Sequence, residues 1–350
     1  MPARYSYASL LTCAETLLTR AGLDAASARI VAEVLLEGDL LGKTTHGLHL
    51  LGLYLQSIAD GQMTLTGASR IVNESPAVLV LDGRYLPGPV LVREAIAWAV
   101  PKARTFGLAA VSIGRSHHIG CLEAYLRPVT DLGLVILLSC TDPFNRTVAP
   151  HGGLTAVSSP NPIAAGIPTA RDAVLLDFCT ANASNGHNAR LKLEGKRHAS
   201  PCLQTAGGQL SDDPEQLYTD PPGSILPLGG VEFGYKGFGL SILMEALTSA
   251  LAGHGRADKP GQWGGSVFLQ ILDPARFGGD AAFRRETQFF ADACQASTPR
   301  PGQKSVRLPG ENALAARRKQ LAEGIALYPT IPPMLKKWTE KFGVELPQPL

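Results

Sequence analysis

Leu108-Ala109-Ala110-Val111-Ser112-Ile113, followed by Arg115-Ser116-His117-His118-Ile119-Gly120, is the passage that decides how this chain reads. The apolar run predicts a short buried strand. The amphipathic stretch from Cys121 to Leu132 predicts a helix. Two imidazoles and a hydroxyl therefore sit on a strand-to-helix turn, where α/β proteins place their chemistry on a loop held by two rigid elements. Histidine titrates near neutral pH and can pass a proton in either direction. One of the two histidines is expected to be structural and the other functional.

Outward from this turn come further strands and helices. Ala77 to Gly83 reads as a strand and 87–106 as a helix closed by Gly107. Gly133 to Cys140 reads as a buried strand running into Thr141-Asp142-Pro143. Val174 to Thr180 is another strand, carrying Asp177 near its end. A carboxylate there can orient a histidine, or cap a helix starting near Thr180. Between them, 148–168 is rich in glycine and proline and exposes many amides, which suit an anion or a plain loop. Residues 194–224 read as a polar surface excursion. A helix runs to Leu251 with Lys236 at or just before its start, a place unfavourable to a cation unless it serves a ligand. Gly253 to Gly265 reads as flexible, Val267 to Leu272 as a strand and 281–297 as a helix. A basic kinked loop, 298–311, leads to helices near 312–323 and over 331–342.

The N-terminal part is helical. A helix over 5–22 closes at Gly22, and a second starts after Asp24 as N-cap. Then comes Lys43-Thr44-Thr45-His46-Gly47-Leu48-His49, before an apolar helix to Ile58. Thr45 and His46 form a hydroxyl–imidazole pair at a helix start, where a carboxylate substrate would be favoured.

Composition sets bounds on these readings. The chain has 350 residues, 45% hydrophobic and 18% charged, with net charge +2. That suits about two globular domains and gives no electrostatic footprint for nucleic acid. No apolar run reaches the ~18 residues that span a bilayer. Met1 to Leu11 lacks a signal-peptide pattern. The six cysteines form no C-x-x-C pair and read as free thiols in a reducing cytoplasm. No G-x-G-x-x-G, P-loop, G-x-S-x-G or H-E-x-x-H is present. The residues alone thus give an α/β enzyme with histidines and an aspartate on strand ends. One chemistry open to it is a metal-dependent hydrolase or lyase using His46, His118, His151 and Asp177.

The order and separation of several short motifs add a resemblance. Thr45-His46-Gly47, Ser116-x-His118-x-Gly120, Val148-Ala149-Pro150-x-Gly152-Gly153, Asn161-Pro162-Ile163-Ala164, Leu176-Asp177, Pro227-x-Gly229-Gly230, Lys236-Gly237-x-Gly239-Leu240 and Arg307-x-Pro309-Gly310-Glu311 carry it. From about residue 8 to the C-terminus, the chain resembles the malate/L-lactate/ureidoglycolate dehydrogenase family. That family also contains sulfolactate dehydrogenases and cyclic ketimine reductases. The resemblance implies a non-Rossmann nicotinamide-binding domain with a mixed sheet, 111–299, beside a discontinuous helical part, 1–110 with 300–350. It implies NAD or NADP as cofactor, a 2-hydroxy acid, 2-oxo acid or cyclic imino acid as substrate, and a homodimer.

Residue by residue, the resemblance makes His118 the acid/base, with His46 and Asp177 also catalytic and His117 at a variable position. Thr45 lies on the substrate side. Thr141, Asn161, Asp177, Phe178, Cys179, Lys236, Pro309, Gly310 and Glu311 fall at cofactor positions, and no metal is implied. Two departures stand out. Thr45 replaces the usual serine. Leu50 occupies the position, four after His46, where the family has a carboxylate-binding arginine. Lys43, His49 or Arg115 is expected to replace that arginine, or else the substrate is not a simple 2-hydroxy acid.

Overall fold

The computed structural model describes residues 3–350; Met1 and Pro2, the start of the stretch read as lacking a leader, lie outside the described residues. The strands in chain order are β1 (Arg4–Tyr5), β2 (Arg70–Ser75), β3 (Val78–Asp82), β4 (Leu108–Ser116), β5 (Val135–Thr141), β6 (Pro162–Ile167), β7 (Val174–Cys179), β8 (Leu203–Gln204), β9 (Leu210–Ser211), β10 (Ser224–Ile225), β11 (Gly265–Leu272) and β12 (Ile325–Ala326). The helices are α1 (Tyr7–Arg20), α2 (Ala25–Leu40), α3 (His49–Ala59), α4 (Gly88–Phe106), α5 (Leu126–Thr130), α6 (Asn185–Leu193), α7 (Gly230–Glu245), α8 (Asp280–Ala296), α9 (Glu311–Glu323) and α10 (Ile331–Phe342).

Seven strands form one sheet in the order β2-β3-β4-β11-β5-β6-β7. Only β3 and β4 run parallel, joined across α4; the other five pairs are antiparallel. The mixed sheet expected from the sequence is present. Ala109, Val111 and Ile113 of β4 are fully buried. The face of α4 carrying Leu91, Val92, Ala95, Ala99 and Ala103 packs in the same core, at the spacing of one helical stripe. That helix stops at Gly107, whose φ of 90° forms a left-handed cap that a side chain would strain.

A second core joins the two ends of the chain: Leu17, Leu35, Leu51 and Tyr54 meet Ile331, Leu335 and Trp338. α2 lies between the cores, since Val34 faces the sheet while Leu35 and Leu36 face the helices. Asp24 caps α2 by accepting from the Ser27 amide at 3.0 Å. By packing, residues 70–106 belong with the sheet, and the divide expected at residue 110 falls within β4.

Several elements differ from the sequence reading. β2 is an edge strand with all six residues exposed, so no alternation marks it. β6 lies inside the glycine- and proline-rich stretch. The excursion 194–224 contains a small sheet, β10-β8-β9, with its own apolar cluster around Leu203 and Ile225. The helix expected over 121–132 is a tight turn, Leu122–Tyr125, running into the five-residue α5. α7 begins at Gly230, so Lys236 lies in its second turn rather than at its start. Among the described residues, no helix is long and apolar enough to cross a membrane.

Candidate active site

His118 follows the end of β4, and three neighbours fix its ring. The Gly120 amide points at Nδ1 from 3.1 Å. The Tyr54 hydroxyl, on α3, donates to the His118 carbonyl at 2.9 Å and places its oxygen 2.9 Å from the same Nδ1. An unprotonated Nδ1 is served by Gly120, and a protonated one by the Tyr54 oxygen. Nδ1 is therefore engaged in either state, and Nε2 is left without a protein partner among the described residues. Trp263, in the loop before β11, lies over the ring with centroids 4.8 Å apart. Behind the turn, Gly88 approaches so closely that a Cβ there would stand 2.4 Å from the His117 and His118 carbonyls.

His46 lies beside His118, rings 6.0 Å apart and 20° from parallel. Its Nδ1 is 2.9 Å from the Thr45 hydroxyl. Burial, then the charges of Lys43, His49 and Arg190, lower its pKa to about 4. Burial, with His46 and His117 nearby, holds His118 well below the ordinary histidine value. Burial thus favours the uncharged form of both rings. His117 is engaged differently. It is fully buried, edge-on to Tyr54 and Trp263, and neither ring nitrogen has a partner among the described residues.

The residues expected to bind a carboxylate separate clearly. Lys43 pairs with buried Glu123 at 3.0 Å. Burial alone would lower the Lys43 pKa, but Glu123 and Asp177 raise it instead. Arg115 is bound to Asp82, Nε to Oδ1 at 2.8 Å. Leu50 is buried in the helical core. His49 opens α3, and its buried Nδ1 has no partner among the described residues. Asp177 accepts from the Glu123 amide at 3.1 Å and makes no hydrogen bond to a histidine. Its pKa is raised by burial against the opposing pull of Lys43.

The cofactor positions fall into two groups. Phe178 and Lys236 are exposed. The Pro309-Gly310-Glu311 turn presses on β7: Leu175 donates to the Pro309 carbonyl at 3.1 Å, and a Cβ on Gly310 would stand 2.7 Å from the Leu175 side chain. Cys179 is half-buried, its Sγ 3.1 Å from the Ala181 carbonyl. Thr141 and Asn161 look inward. The Thr141 hydroxyl meets Thr248 and Ser249, each at 2.9 Å. Asn161 donates to Ser241 and Glu245 and accepts from Ser159, all within 3.0 Å.

His151 is exposed and faces Tyr235 of α7. Among the described residues, no three histidine, cysteine or acidic side chains stand close enough together to hold a metal ion. The set His46, His118, His151 and Asp177 is thus not gathered into a metal site. Tyr54, Trp263 and Arg190 were not singled out by sequence. Tyr54 had only a weak signal, a tyrosine among the apolar residues of α3. Trp263 sits in a glycine-rich loop and Arg190 on a helix without a clear apolar face, so neither had one.

A family model described as malate/L-lactate dehydrogenase matches residues 5–335. The chain is 29% identical over 325 residues to the L-lactate dehydrogenase of Cupriavidus necator, covering 91% of each. It is 29% identical over 338 residues to the Delta(1)-pyrroline-2-carboxylate reductase of Ancylobacter novellus, covering 93% of this chain and 94% of that one. Its fold matches that of malate dehydrogenase from Entamoeba histolytica with a TM-score of 0.93, at 22% identity, over 99% of this chain and 100% of that one.

Proposed function

The chain belongs to the malate/L-lactate dehydrogenase family and is an oxidoreductase; on that premise we propose that it moves hydride between NAD or NADP and a small 2-oxo or 2-hydroxy acid, or a cyclic imino acid, with His118 moving the proton. The observation that carries this reading is the engaged Nδ1 of His118, which leaves Nε2 free beside His46. A substrate oxygen or imine nitrogen set between the rings meets both. His118 gives or takes the proton at Nε2. His46, turned by Thr45, supplies the second polar contact to the developing charge. Trp263 covers the His118 ring and excludes water from that side.

The bound nicotinamide supplies or accepts the hydride. The non-Rossmann mode of binding is part of the proposal, supported by the predominantly antiparallel sheet and the missing glycine fingerprint. Lys236 and Phe178 are exposed, and with the Cys179 backbone and the Pro309-Gly310-Glu311 turn they would hold the cofactor beside the end of β7. Thr141 and Asn161 would shape its wall from behind, because their side chains are committed to internal partners. Asp177 would keep Lys43 and the Glu123 turn in place. A homodimer would cover the apolar side chains that α7 leaves exposed, among them Val231, Phe233 and Ile242.

The test is to titrate NADH and then NADPH into the purified protein while following tryptophan and nicotinamide fluorescence. Trp263 should transfer energy to a nicotinamide bound next to His118. Binding of one form, followed by turnover of a 2-oxo acid or cyclic imine, is the expected result. A folded sample that binds neither would overturn the reading.

A further inference from the structure

The family's carboxylate-binding arginine is absent at Leu50, and the cations near the site differ in what they already hold. Lys43 is paired with Glu123, and Arg115 with Asp82. Arg190 is in neither condition. It stands on α6, whose first turn packs against the substrate side: a Cβ on Gly186 would be 3.5 Å from the Thr45 Cβ and 4.0 Å from the His46 ring. Arg190 lies four residues further on, hence on the same face of the helix. Its Nη1 donates to the Thr44 hydroxyl at 2.8 Å. Its guanidinium lies over the Tyr328 ring, 3.8 Å from the centroid, which fixes the plane of the fork. Its Nη2 is sealed from solvent and has no partner among the described residues. No carboxylate forms an ion pair with it among the described residues, and its charge reaches both His46 and His49.

An arginine with one arm tied, its plane set and the other arm buried and unsatisfied is prepared for an anion. We propose that Arg190 receives the substrate's carboxylate, taking up from α6 the role that Leu50 leaves vacant on α3. This rests on the dehydrogenase reading above and narrows it: the substrate keeps a free carboxylate next to the reacting carbon. Glu194 and Asp39 are the rival carboxylates, since both charges reach Arg190; Glu194 is already held by the Tyr328 hydroxyl and Lys196, while the Asp39 Oδ1 is buried and unpaired among the described residues. Its other oxygen is held by the Leu48 amide at 2.7 Å, and it makes no hydrogen bond to Arg190.

The experiment uses oxamate, an unreactive analogue of a 2-oxo acid, measured by calorimetry with and without the nicotinamide that binds. Arg190→Gln should weaken oxamate roughly 10- to 100-fold, with melting temperature and nicotinamide affinity unchanged. Arg190→Lys should recover part of the loss. For turnover, KM for a 2-oxo acid should rise, while the matching 2-oxo amide, lacking the charge, is unaffected. Oxamate binding equal in wild type and Arg190→Gln would overturn the proposal. So would no oxamate binding in wild type, or a fall in melting temperature in Arg190→Gln that Arg190→Lys does not repair, the mark of a structural partner for Asp39. Turnover of 2-oxo acids that survives Arg190→Gln sinks this inference alone; oxamate binding through Arg190 without nicotinamide binding sinks the dehydrogenase reading alone.

Discussion

Two polar clusters lie within this molecule, one around His46 and His118 and one around Asn161, and they differ in how their hydrogen bonds are spent. In the Asn161 cluster, Ser159, Ser241 and Glu245 use its amide fully, and Arg256 closes the set by donating to Glu245 at 2.8 Å. Nothing there is left for a ligand. In the histidine cluster, His118 and His46 each engage Nδ1 only, and Arg190 keeps a buried arm unpaired. Satisfied buried networks hold a fold together, whereas incompletely satisfied ones at a cleft mark where a substrate completes the set. Both clusters contain residues that the family resemblance assigns to the site, so motif matching alone does not separate them.

The largest expected effect breaks the open cluster. His118→Gln should lower kcat by about 10²- to 10⁴-fold while leaving nicotinamide affinity intact by fluorescence titration. The closed cluster should answer in the opposite currency. Asn161→Ala leaves Ser159, Ser241 and Glu245 short of a buried partner and should cost about 2–3 kcal/mol of stability, read as a lower denaturant midpoint, with a smaller change in kcat. Tyr54→Phe removes the oxygen facing His118 Nδ1 and should reduce kcat roughly tenfold, about 1.4 kcal/mol. As Tyr54 is a positioning residue, the pH profile of kcat should shift as well; loss of melting temperature alone would mark it as packing only.

The smallest effect concerns His117. Burial lowers its pKa from 6.5 to about 4. The unfolded chain therefore takes the proton first as pH falls, and this residue's share of stability is present above pH 6.5 and lost between there and about 4. That share is on the order of 3 kcal/mol. His117→Phe keeps the aromatic contacts with Tyr54 and Trp263 and removes two unpaired nitrogens. It should match wild type at pH 7.5 or exceed it slightly, and lose less melting temperature on going to pH 5. A steeper loss in the variant would contradict this account.

Much of the fold was legible because periodicity and caps agree locally. Asp24 before α2, Gly107 after α4 and the bounds of α10 all follow from the sequence. β6 was not, since Pro162 opens it inside a stretch that reads as loop, and β2 was not, since an exposed edge strand needs no apolar face. The histidine turn was legible as a place for chemistry. Which ring nitrogen is free, and which cation is unpaired, was not. Those properties depend on partners far apart in the chain, such as Tyr54 with His118 and Arg190 with Thr44. They become visible only once the elements are packed.

The most direct test of the central claim is a single-turnover measurement. Reduced nicotinamide is bound to wild type and to His118→Gln, a 2-oxo acid or cyclic imine is added, and loss of the reduced cofactor is followed. The account predicts equal cofactor binding in the two proteins, with rapid hydride transfer in wild type and a rate at least a hundredfold lower in the variant. Transfer in His118→Gln within a fewfold of wild type would show that His118 does not move the proton.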